Sequence, residues 1–202
     1  MKSSEMYLSG PSFEVLVKPT HAVRRGLSVL ALGLAGCTAT TTARMHLPRL
    51  QTTSHVDLDR YLGRWFEIAA FPAWFERDCT ATTATYSLRA DGDIDVVNRC
   101  RKGALDGKED VAEGRARVVD RATNAKLEVS FFRPFWGDYW ILGLGPGPDY
   151  TYAVVGEPGR DYLWILSRTP VLDSADYDKI LAQLREQDYP VDRLVRTRQP
   201  EK

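Results

Sequence analysis

Histidine is the first side chain to consider for general acid–base catalysis or for zinc binding, and the chain has three histidines. His21, His46 and His55 all lie ahead of the part of the chain that is rich in strand-forming residues. A His-based catalytic triad, a histidine zinc site or a histidine general base therefore cannot be built inside that later part. The sequence predicts no enzyme, and it predicts no metal or cofactor.

Two other features could carry chemistry, and each has a simpler interpretation. Glu67 would face the interior of a β structure if side chains alternate strictly from Trp65, and a buried carboxyl can act as an acid of raised pKa. Hydrogen bonds or solvent at the same position are the simpler interpretation. The glycine-rich residues 143–147 are followed by Pro148 and contain Pro146, which oppose the helix that a phosphate-binding loop must open. An isomerase or a de-epoxidase is the enzymatic alternative.

Cys37 is the residue with the clearest prospect of covalent modification. Arg24 and Arg25 precede the apolar residues 26–36, which form a secretory-signal pattern too short for a bilayer span of about 20 residues. The ending 34–37, LAGC, resembles a bacterial lipobox, in which the cysteine is lipidated and becomes the first mature residue. An ordinary signal peptide or a buried apolar segment is the alternative. We expect residues 1–36 to be an upstream extension and a lipoprotein signal peptide.

Lipidation at Cys37 would tether the mature chain to a membrane, since two or more acyl chains give stable anchoring. Thr38 follows the cysteine, and in the bacterial sorting pattern that this resembles a residue other than Asp favours the outer membrane. The expected location is therefore the outer membrane, with the protein facing the periplasm. The small polar residues 37–55 have no periodicity and predict a flexible tether.

The charge pattern argues against a nucleic-acid partner. The chain has 27 basic and 27 acidic side chains, of which residues 1–36 hold four and two, so the mature part carries a net charge of −2. No stretch collects five like charges, and there is no polybasic patch for anionic lipid headgroups. The 166 mature residues suffice for one domain, which we expect over residues 56–198.

Short segments of strand-forming residues, separated by turn signals, fill most of that domain. Asp91-Gly92 is a strong hairpin signal, and a three-residue turn there would set Tyr86 and Asn98 face to face. One amphipathic helix is predicted over residues 173–187, followed by a short strand over 191–198. The eight main strands are predicted at residues 64–71, 80–88, 94–101, 111–119, 127–132, 139–144, 152–155 and 162–168.

Eight sequential antiparallel strands without long crossovers favour an up-and-down β-barrel, which has no exposed edges and is just wide enough for one small ligand. The predicted class is thus all-β, with one C-terminal α-helix. A β-sandwich is the alternative, although sandwiches usually have Greek-key connections and lack a terminal amphipathic helix.

Cys79 and Cys100 lie on the two strands joined by the Asp91-Gly92 hairpin. In an oxidising periplasm such a pair usually forms a disulfide. The predicted register sets Cys100 opposite residues 83–84, which leaves Cys79 four or five positions too far along unless the chain bulges or doubles back. The sequence leaves this disulfide open.

Four segments of the predicted domain form a recognisable set: residues 61–69 (YLGRWFEIA), 83–98 with TATYSL and VVN, 126–132 (KLEVSFF) and 160–170 (RDYLWILSRTP). Together they resemble the lipocalin family, and within it the bacterial lipoprotein branch related to apolipoprotein D. The first segment contains the G-x-W motif of the family opening. The resemblance extends over about 140 residues and implies a lipid-binding barrel on the outer membrane.

The resemblance implies that Trp65 closes one end of the barrel, with Arg168 lying across it and Gly63 providing the tight entry. These are structural roles. If Arg168 points inward, side-chain alternation makes Leu166 and Trp164 point inward as well, and Trp164 reaches the cavity. Further ligand contacts are expected, by similarity, at Tyr86, Asn98, Phe131, Tyr139 and Tyr61.

An aromatic group near the predicted turn after residue 132 could line the open mouth or face outward, where it would contact a membrane or a partner. Its members are Phe132, Phe135, Trp136 and Trp140.

The predicted ligand is a fatty acid or a lysophospholipid, held for transport, for storage or for maintenance of the cell envelope. Two alternatives stay open. A barrel filled by its own aromatic side chains would be a ligand-free scaffold, and a tetrapyrrole could replace the lipid, although the lack of histidines in the barrel argues against haem. The sequence also leaves open whether the barrel forms a homodimer.

Overall fold

The computed structural model describes residues 47–200. Two helices flank the strands: α1 is Leu58–Tyr61 and α2 is Ser174–Glu186, and two 3-10 turns span Trp74–Glu76 and Val191–Arg193. No helix of residues 47–200 combines the length and the apolar character needed to cross a bilayer. The strands are β1 Gly63–Ala70, β2 Cys79–Leu88, β3 Ile94–Lys102, β4 Glu109–Val118, β5 Lys126–Ser130, β6 Gly137–Leu144, β7 Tyr152–Gly156, β8 Leu163–Ser167 and β9 Val195–Arg196.

Strands β1 to β8 form a closed antiparallel barrel in chain order. Each strand pairs with the next, and β8 returns to β1, so that Phe66 pairs with Thr83 on one side and with Ser167 on the other. This closure gives each of the eight strands a partner on both sides, although β1 and β2 separate beyond Phe66 and Thr83. The predicted up-and-down barrel with one main helix near the C-terminus is confirmed.

Two layers of apolar side chains hold the barrel and the helix together. Leu166 on β8 points into the barrel core, whereas Leu163 and Ile165 of the same strand pack outside with Ile180 and Leu184 of α2. The helix begins where the Asp173 side chain accepts hydrogen bonds from the backbone N–H groups of residues 175 and 176. Its bounds lie within one residue of those that the sequence predicts.

The end of the barrel near α1 is closed by Trp65 and Arg168. Trp65 is fully buried, and the guanidinium carbon of Arg168 lies 3.6 Å from the centroid of its ring. Arg168 also donates hydrogen bonds to four backbone carbonyl oxygens, of Arg60 at 2.7 Å, Tyr61 at 3.3 Å, Arg64 at 2.9 Å and Asp149 at 3.0 Å. One side chain therefore ties the chain before β1, strand β1 and the loop before β7 to the same point.

The C-terminal segment 195–199 fills a gap in the barrel wall. Pairing between β1 and β2 ends at Phe66 and Thr83, and beyond that point Val195 and Arg196 pair with β1. The Gln199 amide then donates to the carbonyl oxygens of Glu67 at 2.7 Å and Thr82 at 2.9 Å, one on each strand. The predicted strand over 191–198 is wrong in length, because a 3-10 turn at Val191–Arg193 leaves only two residues in register with β1.

The β2–β3 register differs from the predicted one. The loop between Leu88 and Ile94 has five residues rather than three, so Asn98 lies opposite Ala84, and Tyr86 lies opposite Val96. The two predicted partners are therefore offset by two positions along the barrel.

A bulge in β2 resolves the question of the cysteines. The register shifts between Thr80 and Thr83, where Ala81 adopts a φ of +50°. The bulge places an extra residue in β2, so Cys79 lies opposite Lys102 and one position closer to Cys100 than a regular ladder would place it. The structure joins them by a disulfide, with a Cα–Cα distance of 5.4 Å.

The chain already contacts the barrel before Val56, where the sequence predicts that the domain starts. Leu50 is buried, the backbone N–H of Thr53 donates to the carbonyl oxygen of Ile141 at 2.9 Å, and Arg160 donates to that of Pro48 at 2.7 Å. The last residues of the predicted tether are thus fixed to the barrel, and residues 37–46 lie outside the described residues.

Replacing Arg168 by lysine is expected to lower the free energy of unfolding by about 2–3 kcal/mol. Lysine keeps the charge, but its single ammonium cannot span the carbonyls that the guanidinium reaches or stack flat on Trp65. Urea unfolding measures the change. The matched control is Arg64→Lys, since Arg64 lies over Phe66 on the barrel surface, and we expect a loss under about 0.5 kcal/mol there. Equal losses in the two variants would contradict the role of Arg168.

Candidate functional site

An inner cavity of about 70 Å³ lies within the barrel, above the closed end. Strands β1, β2, β3, β5, β6 and β8 contribute to its wall, and the β1–β2 loop reaches it through Glu76. This cavity is much smaller than the pockets of about 300–1,000 Å³ that usually hold small molecules. Its lining residues are Glu67, Glu76, Thr82, Thr83, Ala84, Tyr86, Asn98, Val129, Phe131, Tyr139, Trp164 and Leu166.

Two tyrosines, Tyr86 and Tyr139, form the floor of the inner cavity, and a third, Tyr61, fills the barrel beneath them. The Tyr139 hydroxyl lies 2.6 Å from the Tyr61 hydroxyl and 2.8 Å from the Tyr86 hydroxyl. Burial raises the pKa of Tyr86 to about 12, so the cluster is neutral at physiological pH. Tyr61 packs against Trp65 at a centroid distance of 5.3 Å, below the cavity. The sequence predicted Tyr61 as a ligand contact, but the structure places it under Tyr139 and outside the cavity wall.

A larger groove of about 690 Å³ opens at the other end of the barrel. It shares four lining residues with the inner cavity, so the two spaces adjoin: Glu76, Thr82, Asn98 and Phe131. Aromatic side chains dominate its rim, and Phe132 and Phe135 are 75% and 76% exposed. The rim residues are Trp74, Phe75, Phe131, Phe132, Phe135 and Trp136.

The sequence left open whether the aromatic group after residue 132 lines the mouth of the barrel or faces outward. The structure places its members on both sides of the barrel wall. Phe132, Phe135 and Trp136 line the groove. Trp140 instead lies on the outside of the barrel, where it packs with the cluster beneath α2 and under the Lys126 ammonium at 4.3 Å. The parity of β6 explains the split, since Tyr139 faces inward and its neighbour must face outward.

Most of the ligand-contact residues predicted from the sequence border these two spaces. Trp164 lies in the cavity wall, stacked on Tyr162 at a centroid distance of 5.8 Å, and its indole N–H donates to Glu76 Oε2 at 3.3 Å. Leu166 lies beside it on β8, and Phe131 and Asn98 line both spaces. Their contact with a ligand stays a prediction.

Glu76 is a site residue that sequence reasoning missed. It belongs to the 3-10 turn Trp74–Glu76 in the loop between β1 and β2, which strand periodicity does not describe. The adjacent Trp74 and Phe75, both exposed on a loop, were the signal that this segment folds toward an apolar surface. The loop thereby places a carboxyl at the junction of the cavity and the groove.

Glu67 and Glu76 form a buried acidic pair. Desolvation, together with the nearby Glu76 charge, raises the pKa of Glu67 to about 8, and the Thr197 hydroxyl that donates to Glu67 opposes this. Burial also raises the pKa of Glu76, while the Trp164 hydrogen bond and the positive charge of Lys102 oppose the rise. Within residues 47–200, no group of three histidine, cysteine or carboxylate side chains is arranged to hold a metal.

A closed eight-stranded barrel, sealed at one end by a tryptophan and open at the other through an apolar groove, defines a protein built to hold a small hydrophobic molecule. Residues 56–199 match the family model of a lipocalin-like domain. The chain belongs to the lipocalin family. Its members bind small hydrophobic ligands and are binding or transport proteins rather than enzymes.

Sequence relatives support this membership. The chain is 42% identical over 149 residues to the outer membrane lipoprotein Blc of Citrobacter freundii, covering 73% of this chain and 81% of that protein. It is 41% identical over 147 residues to the Blc protein of Escherichia coli K12, with the same coverage. Apolipoprotein D of Rattus norvegicus is 36% identical over 157 residues, covering 71% and 79%.

Solved structures agree on the fold. Insecticyanin from the tobacco hornworm Manduca sexta superposes with a TM-score of 0.60 at 21% identity, covering 77% of this chain and 87% of that one. Apocrustacyanin C2 superposes with a TM-score of 0.57 at 17% identity, covering 72% and 81%.

Replacing Glu67 by glutamine is expected to flatten the pH dependence of stability. Because the folded-state pKa lies above the ordinary value, the native chain holds a proton that the unfolded chain has lost between about pH 5 and 8, so the free energy of unfolding falls as pH rises through this range. Glu67→Gln removes that loss, and its gain over the wild type should reach roughly 2–4 kcal/mol near pH 9.

Urea unfolding across this pH range measures the effect. Glu113→Gln is the matched control, because Glu113 is exposed on β4. We expect the control to follow the wild-type pH profile. A Glu67→Gln profile parallel to that of the wild type would show that Glu67 titrates normally.

Proposed function

We propose that this lipocalin holds one single-chain lipid, a fatty acid or a lysophospholipid, in the mouth groove and the adjoining inner cavity. The observation that supports this most is the groove itself, whose 690 Å³ lies within the usual size range of ligand pockets and whose rim is aromatic. The inner cavity alone is too small for an acyl chain. The lipid would therefore lie nearer the mouth than a fully hollow barrel would allow.

The energetics of burial favour an acyl chain. Burying a chain of 16 carbons contributes on the order of 12 kcal/mol at about 0.8 kcal/mol per methylene. Association and ordering cost several kcal/mol of this. What is left corresponds to micromolar to nanomolar dissociation constants.

We assign ligand contacts to residues that line the inner cavity or the groove. Phe131 and Asn98 lie where the spaces meet, and Trp164 and Leu166 lie on the β8 wall of the inner cavity. Tyr86 and Tyr139 form its floor, where they would limit how deeply the ligand enters. Tyr61 is assigned a supporting role beneath them.

The relatives support a membrane location for the protein. The Blc proteins of Citrobacter freundii and Escherichia coli are named outer membrane lipoproteins. We infer that Cys37, which lies outside the described residues, carries the anchor, that residues 1–36 are removed, and that residues from 37 onward link the anchor to a barrel facing the periplasm. The ligand would then be drawn from, or delivered to, the membrane beside it.

A ligand-free scaffold is the second candidate, because the lower barrel is filled by Trp65 and three tyrosines. Native mass spectrometry of the protein purified from cells separates the two functions. A carrier retains lipid, and a scaffold is empty.

Filling the groove should remove the lipid. Ala112 on β4 lines the groove, whereas its neighbour Val111 is exposed, and alternation points it to the outer face. We expect Ala112→Trp to reduce co-purified lipid by about tenfold or more, and Val111→Trp to leave it unchanged. An empty wild-type protein, or equal lipid in both variants, would refute the proposed carrier function.

Replacing Cys37 by serine is expected to abolish labelling by palmitate and to remove the protein from the outer-membrane fraction. Serine cannot form the thioether that attaches the lipid. Fractionation of cells, combined with labelling by radioactive palmitate, measures both consequences. Cys79→Ser is the control, since the barrel disulfide plays no part in anchoring. Palmitate labelling of Cys37→Ser, or its recovery in the outer membrane as for the wild type, would contradict the assignment.

A further inference from the structure

The junction of the inner cavity and the groove contains polar atoms that have no hydrogen-bond partner among residues 47–200. Thr82 is only 7% exposed, and its hydroxyl makes no hydrogen bond. The buried amide oxygen of Asn98 is also unpaired. Both side chains line the inner cavity and the groove. A buried polar group without a hydrogen bond destabilises the protein, so a ligand that pairs with these two groups gains affinity.

Two carboxyls face the same space. Glu67 accepts a hydrogen bond from Thr197, and Glu76 accepts one from Trp164, which leaves the second oxygen of each carboxyl free of hydrogen bonds within residues 47–200. Neither carboxyl forms an ion pair with a residue in that range. Lys102, whose charge reaches Glu76, has its ammonium 3.1 Å from Asp110.

The chemistry of these groups selects the ligand's polar end. An amide oxygen accepts hydrogen bonds and does not donate them, and a positive charge bound beside the two carboxyls would stabilise their ionised, accepting form. An ammonium group is their complement, since it has three donors, no acceptor and a positive charge. A ligand carboxylate would instead bring a negative charge into a low-dielectric space beside two acids, which disfavours it.

The sizes of the two spaces set the orientation. The inner cavity of about 70 Å³ accommodates a small polar group but not an acyl chain, whereas the groove of about 690 Å³ is rimmed by aromatic side chains. A ligand that satisfies both spaces enters with its polar end first and leaves its hydrocarbon tail among Phe131, Phe132 and Phe135.

We propose that Glu67, Glu76, Thr82 and Asn98 form a headgroup site for a protonated amine, and that the protein prefers a single-chain amphiphile with an ammonium group over one with a carboxylate. This inference rests on the proposed function, because it assumes that the groove takes a hydrocarbon tail. It adds which polar end the cavity accepts and which way round the ligand lies.

Three probes with the same twelve-carbon tail test the preference. Dodecylamine, laurate and dodecanol differ only in the polar group, and isothermal titration calorimetry of the delipidated protein near neutral pH measures their affinities. We expect dodecylamine to bind at least about tenfold more tightly than laurate, with dodecanol in between. Laurate binding as tightly as dodecylamine, or more tightly, would overturn the headgroup site.

The same experiment separates this inference from the proposed function. If dodecanol and laurate bind and dodecylamine has no advantage, the groove still takes a tail and only the headgroup site fails. If none of the three binds, the proposed function fails with it.

Variants then assign the preference to the named residues. The double variant Glu67→Gln with Glu76→Gln is expected to lose at least about tenfold in dodecylamine affinity and to bind dodecanol as the wild type does. Thr82→Val should weaken dodecylamine alone by a few fold, without removing a charge. Glu113→Gln is the surface control and should change nothing. A double variant with unchanged preference would refute the assignment, and the wild-type ratio tests the site even if that variant does not fold.

Discussion

The stacking of Arg168 on Trp65 is the contact on which the rest of the barrel depends. It lies where the first and last strands of the barrel meet, and it ties three stretches of backbone to one buried indole. Because Trp65 and Arg168 seal this end, the barrel can stay open at its other end. The space between the tyrosine floor and the β1–β2 loop can therefore be used for binding.

The open end of the barrel is built differently, with a gap between β1 and β2 that regular pairing does not close. The C-terminal segment and the loop containing Glu76 fill that gap, and both reach Glu67, the first through the Thr197 hydroxyl and the second through the charge of Glu76. The acidic pair is thus a product of the irregular half of the barrel. Its burial is costly, which is a reason to expect that it serves the ligand.

How much of the site could be predicted from the sequence depended on strand regularity. Trp164 and Leu166 were placed correctly toward the interior because β8 is regular and alternation holds along it. The prediction that Tyr86 and Asn98 face each other was wrong because their register depends on the length of the loop between β2 and β3. Glu76 was missed because a 3-10 turn has no period that a sequence pattern reveals. The depth of the cavity also depended on three tyrosines whose mutual contacts are non-local.

The sequence by itself determined the class of fold, the order of strands and helix, and the residues that seal the closed end, since these depend on local periodicity and on a motif whose spacing is fixed. Only the tertiary structure decided the disulfide, the position of the ligand space near the mouth and the proximity of Glu67 to Glu76 beside Trp164. The physical reason is that bulges, loop lengths and long-range contacts set these distances. Adding one residue to a strand shifts every neighbour beyond it, and such a shift is visible only when the barrel is closed.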